Sequence, residues 1–238
     1  MGALFSMALP DSPRVPKGTA PSGICSGMRA VLADRNLTIF NLGVGLYQAG
    51  QFNFFAYITL FMREALQASQ PLAAACLGIG QAASAVGRLG WGVVSDVLFR
   101  SRRRPVFLIM GGLGAASLAT MALLAPGPAL PIGVALSVII GLTVAGYVAI
   151  VQTIVVEAAP ARLAATAVGY NRIYTAVGAT LGPPIFGATG DLTGGYASGW
   201  LLTRGIVLAS TLFVAVLFRE GRGAKGPGDG PLDRQASR

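Results

Sequence analysis

Two arginines, Arg88 and Arg172, lie inside long stretches of the chain that carry almost no other charge. A cation held at membrane depth is costly and usually has a task. Arg88 belongs to a stripe with Gln81, Ser84 and Ser95, spaced so that all four fall on one face of a helix. Arg172 sits beside Tyr170, Asn171 and Tyr174. It lies about eight residues inside its run, or roughly 12 Å at the rise of an α-helix. Arg88 has a similar depth from the same side. Two cations at one level, with no carboxylate beside them in sequence, point to a site or pathway for an anion. The same side chains can instead snorkel to the interface or bond backbone carbonyls, and the sequence leaves both readings open. A third uncharged run carries Gln48, Gln51, Asn53 and Tyr57, and a fourth carries Tyr147. Amides and phenols there can hold a polar solute or bond a neighbouring helix.

The inventory of reactive groups is otherwise thin. The chain has no histidine, which removes the common catalytic triads and the commonest metal ligand. Its two cysteines, Cys25 and Cys76, form no disulfide framework or metal motif. Glu64, Asp96, Glu157 and Asp191 all fall near the ends of apolar runs, so no acid pair is expected at mid-membrane. The expectation is a protein that is not an enzyme and uses no cofactor or metal.

The elements that position these residues follow from composition. Of 238 residues, 53% are hydrophobic and only 11% charged. A soluble domain carries roughly 25% charged residues, so this chain cannot cover a globule with solvated surface. A spanning helix takes about 20 residues, so six spans fit and twelve do not. The runs 36–62, 65–95, 105–124, 131–156, 163–190 and 200–218 supply six. The third and fourth form one uncharged stretch, broken by Pro126, Pro128 and Pro131, which cannot all continue a helix. Residues 1–35 read as a flexible polar segment, 36–219 as the transmembrane domain and 220–238 as a polar tail. No secretory signal is expected at the N-terminus. Met1 to Ser6 fits the loose myristoylation pattern.

The net charge of +9 has a definite placement. If the N-terminus is cytoplasmic, the cytoplasmic segments hold Arg29, Arg35, Arg100, Arg102, Arg103, Arg104, Arg162 and the basic residues of both tails. The outer loops hold Arg63. This is the positive-inside asymmetry, and it puts both termini in the cytoplasm. It accounts for the basic charge without a nucleic-acid partner.

The stretch from Gly87 through Arg88, Gly90, Trp91, Gly92 and Asp96, followed by Arg100, Arg102, Arg103 and Arg104, carries a resemblance. It resembles the signature loop of the major facilitator superfamily, in which G-x-x-x-D precedes a basic cluster. Gly92 and Asp96 match the spacing. Val97 stands where a basic residue is usual, which resembles the second, more degenerate copy of the loop in the family. The run Gly178 to Pro184 is similar to the Gly-Pro signature of antiporter members, although antiport does not follow from it.

The resemblance implies an all-α membrane fold: six helices in two inverted three-helix repeats, the carboxyl-terminal half of a full transporter. It implies a cytoplasmic charge relay of Asp96, Arg103 or Arg104, Glu157 and Arg162, with Arg88, Gly92 and Arg100 in the gating region. Candidate solute contacts become Gln51, Asn53, Tyr57, Gln81, Tyr147, Asn171, Arg172 and Tyr174. The implied function is secondary active or facilitative transport of a small polar, anionic solute by alternating access, in the plasma (inner) membrane. The implied partners are membrane lipid, the solute and a second six-helix unit, either a missing half or another copy. The alternative is a non-transporting fragment or regulatory membrane subunit.

Overall fold

The computed structural model describes residues 29, 31–100, 102–125, 129–160 and 163–218. The expected polar segment as far as residue 28, Pro126 and Pro128, Arg162, residue 219 and the tail 220–238 lie outside the described residues. Helix α1 spans Arg35–Leu60. Asp34 caps it, its carboxylate accepting from the Leu37 amide at 3.0 Å. Val31, just ahead of the cap, is already buried in the core, so order begins before the boundary read from composition. The end of α1 widens into a π-turn, Phe61–Ala65, which carries Arg63 and Glu64 to the surface.

Helix α2 spans Gln70–Val97, starting at Pro71 in its first turn, and α3 spans Arg103–Ala122. Helix α4 spans Leu130–Ala158. It consists of two regular stretches, Leu130–Ile140 and Val148–Ala158, joined through a wide turn at Gly141–Ala145. Helix α5 spans Ala164–Thr193 and runs through Pro183 and Pro184. It stops at Gly194, whose φ of 75° is the left-handed cap that glycine takes without strain. Helix α6 spans Tyr196–Leu217. Among the described residues no strand occurs.

Helices α2, α3, α4 and α6 are long and apolar enough to cross a membrane. The other two, α1 and α5, are equally long but carry the polar residues that the sequence singles out. The buried amides among them bond neighbouring helices, Asn171 with Asn41 and Gln51 with the Ala145 carbonyl, as a lipid environment requires, while Arg172 stays exposed. Helix α1 packs along α5 and α6, α4 packs along α2 and α3, and α3 packs on α6.

Glycine makes two seams in which backbone meets backbone. A side-chain carbon on Gly178 of α5 would overlap the Gly45 carbonyl oxygen of α1. One on Gly87 of α2 would sit 2.5 Å from the Leu142 carbonyl oxygen of α4. Small residues permit this approach where lipid supplies no hydrophobic drive between helices. Aromatic rings fill the spaces between seams: Tyr47 lies 4.6 Å from Tyr147, and Phe186 lies 4.9 Å from Trp200.

Candidate functional site

The wide turn in α4 leaves backbone carbonyls without their usual helical donors. Side chains from α1 and α2 take them up. Ser84 donates to the Ala145 carbonyl at 2.9 Å, Trp91 Nε1 donates to that of Leu142 at 2.8 Å, and Gln51 Nε2 reaches Ala145 at 3.5 Å. These bonds fix α4 between its neighbours. They also set the position of Tyr147, at the start of the second stretch. Its side chain is buried, and its hydroxyl donates to Oε1 of Gln48 on α1.

Arg88 of α2 and Arg172 of α5 are both exposed, and both lie within electrostatic reach of the Tyr147 phenol. Four helices therefore converge: α1 through Gln48, α2 through Arg88, α4 through Tyr147 and α5 through Arg172. Gln81, two turns along α2 from Arg88, is exposed on the same face. The stripe expected on α2 is split by the fold. Ser84 and Ser95 are buried, Ser84 against α4 and Ser95 beside the Arg102 carbonyl at 3.4 Å.

Other candidates are placed elsewhere. Asn53 is fully buried. In the amide orientation that satisfies its surroundings, it donates to the Gly182 carbonyl at 2.9 Å and accepts from Thr203 Oγ1 at 3.0 Å. It pins α1 to α5 and α6 and presents nothing to a cavity. Asn171 is also fully buried: it donates to Asn41 of α1 at 2.9 Å and accepts from Gln152 of α4 at 3.4 Å. Tyr174 shares a hydroxyl chain with Tyr170, at 2.8 Å, and Tyr170 meets Thr38 at 3.2 Å. Tyr57 donates to the Pro183 carbonyl at 2.9 Å. It lines a separate cavity of about 390 Å³ at the opposite end of the helices, beside Glu64, Asp191 and Tyr196. There Tyr196 donates to Glu64 at 2.5 Å and ties the end of α1 to the start of α6.

At the end of the bundle where α2 stops and α3 starts, Arg103 joins two carboxylates. Nη1 lies 2.5 Å from Asp96 at the end of α2, and Nη2 lies 3.4 Å from Glu157 at the end of α4. The Arg103 side chain is 11% exposed, while the two acids are about half exposed. Arg104 instead donates to the Ala215 carbonyl in the last turn of α6, where a cation complements the helix end. Arg100 is exposed, in a left-handed turn with φ of 51°. A side-chain carbon on Gly92 would meet nothing within 4 Å, so its α2 face is open.

Gln48, one of the α1 amides but outside the solute contacts that the resemblance implies, is the partner of Tyr147. The available signal was its place one turn before Gln51. Trp91 belongs by sequence to the stretch around G-x-x-x-D, and in the fold its indole holds the wide turn of α4.

The sequence matches the family model of the Major Facilitator Superfamily over residues 4–236. None of the curated proteins matches it. The fold is similar to that of the E. coli fucose:proton symporter FucP, with a TM-score of 0.74 and 12% identity. That match covers 91% of this chain and 52% of the symporter. A second structure, FucP described as a major facilitator superfamily transporter in the outward conformation, gives a TM-score of 0.70 at 16% identity. It covers 91% of this chain and 51% of that one. The chain thus spans about half the length of the solved structures it matches. Membrane-length apolar helices, a fold shared with a symporter and a family pattern running through nearly every residue lead to one conclusion: this integral membrane protein belongs to the major facilitator superfamily.

Proposed function

We propose that the chain works as one six-helix half of a transporter that carries a small anionic solute by alternating access. The observation that carries this reading is the placement of Arg88 and Arg172. They come from different helices, remain exposed, and both lie within electrostatic reach of Tyr147, which bonds Gln48. Two cations within reach of one phenol attract negative charge, and a neutral solute has no need of them. The solute contacts in this reading are Arg88, Arg172, Gln81, Gln48 and Tyr147. Asn53 and Asn171 serve the scaffold. The family is one of transporters, so no chemistry on the solute is assigned.

The packing supports two inverted three-helix repeats. Exchanging α1 with α4, α2 with α5 and α3 with α6 turns the α1–α5 seam into the α4–α2 seam, and α1–α6 into α4–α3. The glycine of each seam, Gly178 and Gly87, is exchanged as well. Exposed Gln81, Arg88 and Arg172 belong against a second six-helix unit, because lipid offers them no partner. Arg103, with Asp96 and Glu157, is the proposed latch of the cytoplasmic face, and Arg100 and Gly92 lie beside it. Exposed ion pairs are worth roughly 0.2–1 kcal/mol each, weak enough to part when the halves rock. The basic cluster supports a cytoplasmic location for this face and for both termini, in the plasma (inner) membrane. A non-transporting membrane subunit is the second reading, favoured by the half-length match alone.

Reconstituting the purified chain in liposomes tests the proposal. Uptake of small labelled carboxylates and of a neutral sugar is measured beside the oligomeric state from light scattering. Carboxylate uptake by a dimer, abolished in Arg172→Ala and reduced in Arg88→Ala, supports the proposal. Sugar uptake without carboxylate uptake, or carboxylate uptake unchanged in both variants, refutes the anion assignment. A folded chain with no flux favours the subunit.

A further inference from the structure

We infer that the chain holds an anionic phospholipid, with one acyl chain in the crevice between α5 and α6 over α1. The crevice encloses about 350 Å³, and apart from Tyr174 its walls are apolar. Leu42 and Leu46 form its floor on α1; Val177, Leu181 and Ile185 form a wall on α5; Ile206 closes it on α6.

The crevice lies on the far side of α5 from the arginine pair. On α1, Gln48 is about 200–240° around the helix from Leu42 and Leu46 at 100° per residue. On α5, Arg172 is about 140–220° around the helix from Val177, Leu181 and Ile185 at 100° per residue. A second six-helix unit covering the arginine pair therefore leaves the crevice open to the side, where lipid is the neighbour.

Three observations select the occupant. The first is length. Ile173 to Ile185 on α5 rises roughly 18 Å, close to one leaflet of a hydrocarbon core about 30 Å thick. The second is charge. Arg35 lies seven residues before Leu42, nearly in line with it on the same α1 face, and is exposed. The neighbouring Asp34 sits a quarter turn away, with its carboxylate engaged by the Leu37 amide. The third is the polar chain of Thr38, Tyr170 and Tyr174 between Arg35 and the apolar walls. Its hydroxyls stand where the ester groups of a lipid would lie, with the phosphate at Arg35 and the tail above.

Native mass spectrometry of the full chain, titrated with phosphatidylglycerol or phosphatidylcholine, tests this. The wild type retains phosphatidylglycerol in preference to phosphatidylcholine by about fivefold, the ratio one basic residue gives near an anionic headgroup. Arg35→Ala removes the preference. Leu46→Trp, at a position 40% exposed and so outside the core, fills the crevice and removes retention of both lipids. Far-ultraviolet circular dichroism identifies any variant that fails to fold, and Ile206→Trp then serves as the second filling variant. Equal retention of the two lipids by the wild type overturns the inference, as does undiminished retention in a folded filling variant. Cross-linking of Leu46→Cys to a second copy in membranes also overturns it, because the crevice is then an interface between chains.

Discussion

Gly178→Ala is the sharpest test of how the scaffold is built. Helices α1 and α5 touch backbone to backbone at this point. The added methyl would overlap the Gly45 carbonyl oxygen and lie 2.9 Å from its carbonyl carbon and 3.2 Å from the Ala49 nitrogen. These atoms are main chain and cannot swing aside. Ordinary contact begins near 3.5 Å, so the seam must open by on the order of 1 Å. The opening stretches the bond from Asn53 to the Gly182 carbonyl, now 2.9 Å, beyond the 3.2 Å range of good N–H···O geometry. Overpacking of this kind costs about 1–3 kcal/mol. For a domain of this size that corresponds to a fall of roughly 2–12 °C in Tm. Thermal unfolding in detergent, followed by tryptophan fluorescence, reads the effect. Gly90→Ala is the control, since its methyl meets nothing within 4 Å and alanine favours helix. The close-packed seam is refuted if Gly178→Ala and Gly90→Ala melt together.

Two further changes separate scaffold from mechanism. Asn53→Leu removes the amide joining three helices and is expected to cost about 0.6–1.7 kcal/mol. It lowers Tm and leaves solute affinity unchanged, and a variant that loses affinity with full stability returns Asn53 to the solute site. Arg103→Gln parts Asp96 from Glu157 at a stability cost of no more than about 2 kcal/mol for the two pairs. It should speed maleimide labelling of a cysteine placed at buried Ser95, and an unchanged labelling rate removes Arg103 as a latch.

The comparison of sequence with structure turns on particular residues. The Asp96–Arg103–Glu157 cluster was legible because a local motif contains two of its members, and the third ends a helix on the same side. The choice of Arg103 over Arg104 was not legible. It depends on a turn of about 100° per residue, which sends one guanidinium to α4 and the other to the end of α6. The wide turn in α4 left no mark in the hydropathy, since its five residues Gly141–Ala145 are small or apolar like their neighbours. What holds it comes from Ser84, Gln51 and Trp91, more than fifty residues away in sequence.

By itself the sequence determined that the chain belongs in lipid, that basic residues gather at one end of the helices, and that polar groups lie within the spans. Those properties follow from composition and from local spacing along a helix. Only the tertiary structure decided which polar groups are consumed in holding the bundle and which remain open. An amide in a helix takes whichever partner packing brings within about 3 Å. Packing brought Gly182 and Thr203 to Asn53, while Arg88 and Arg172 remained exposed beside Tyr147.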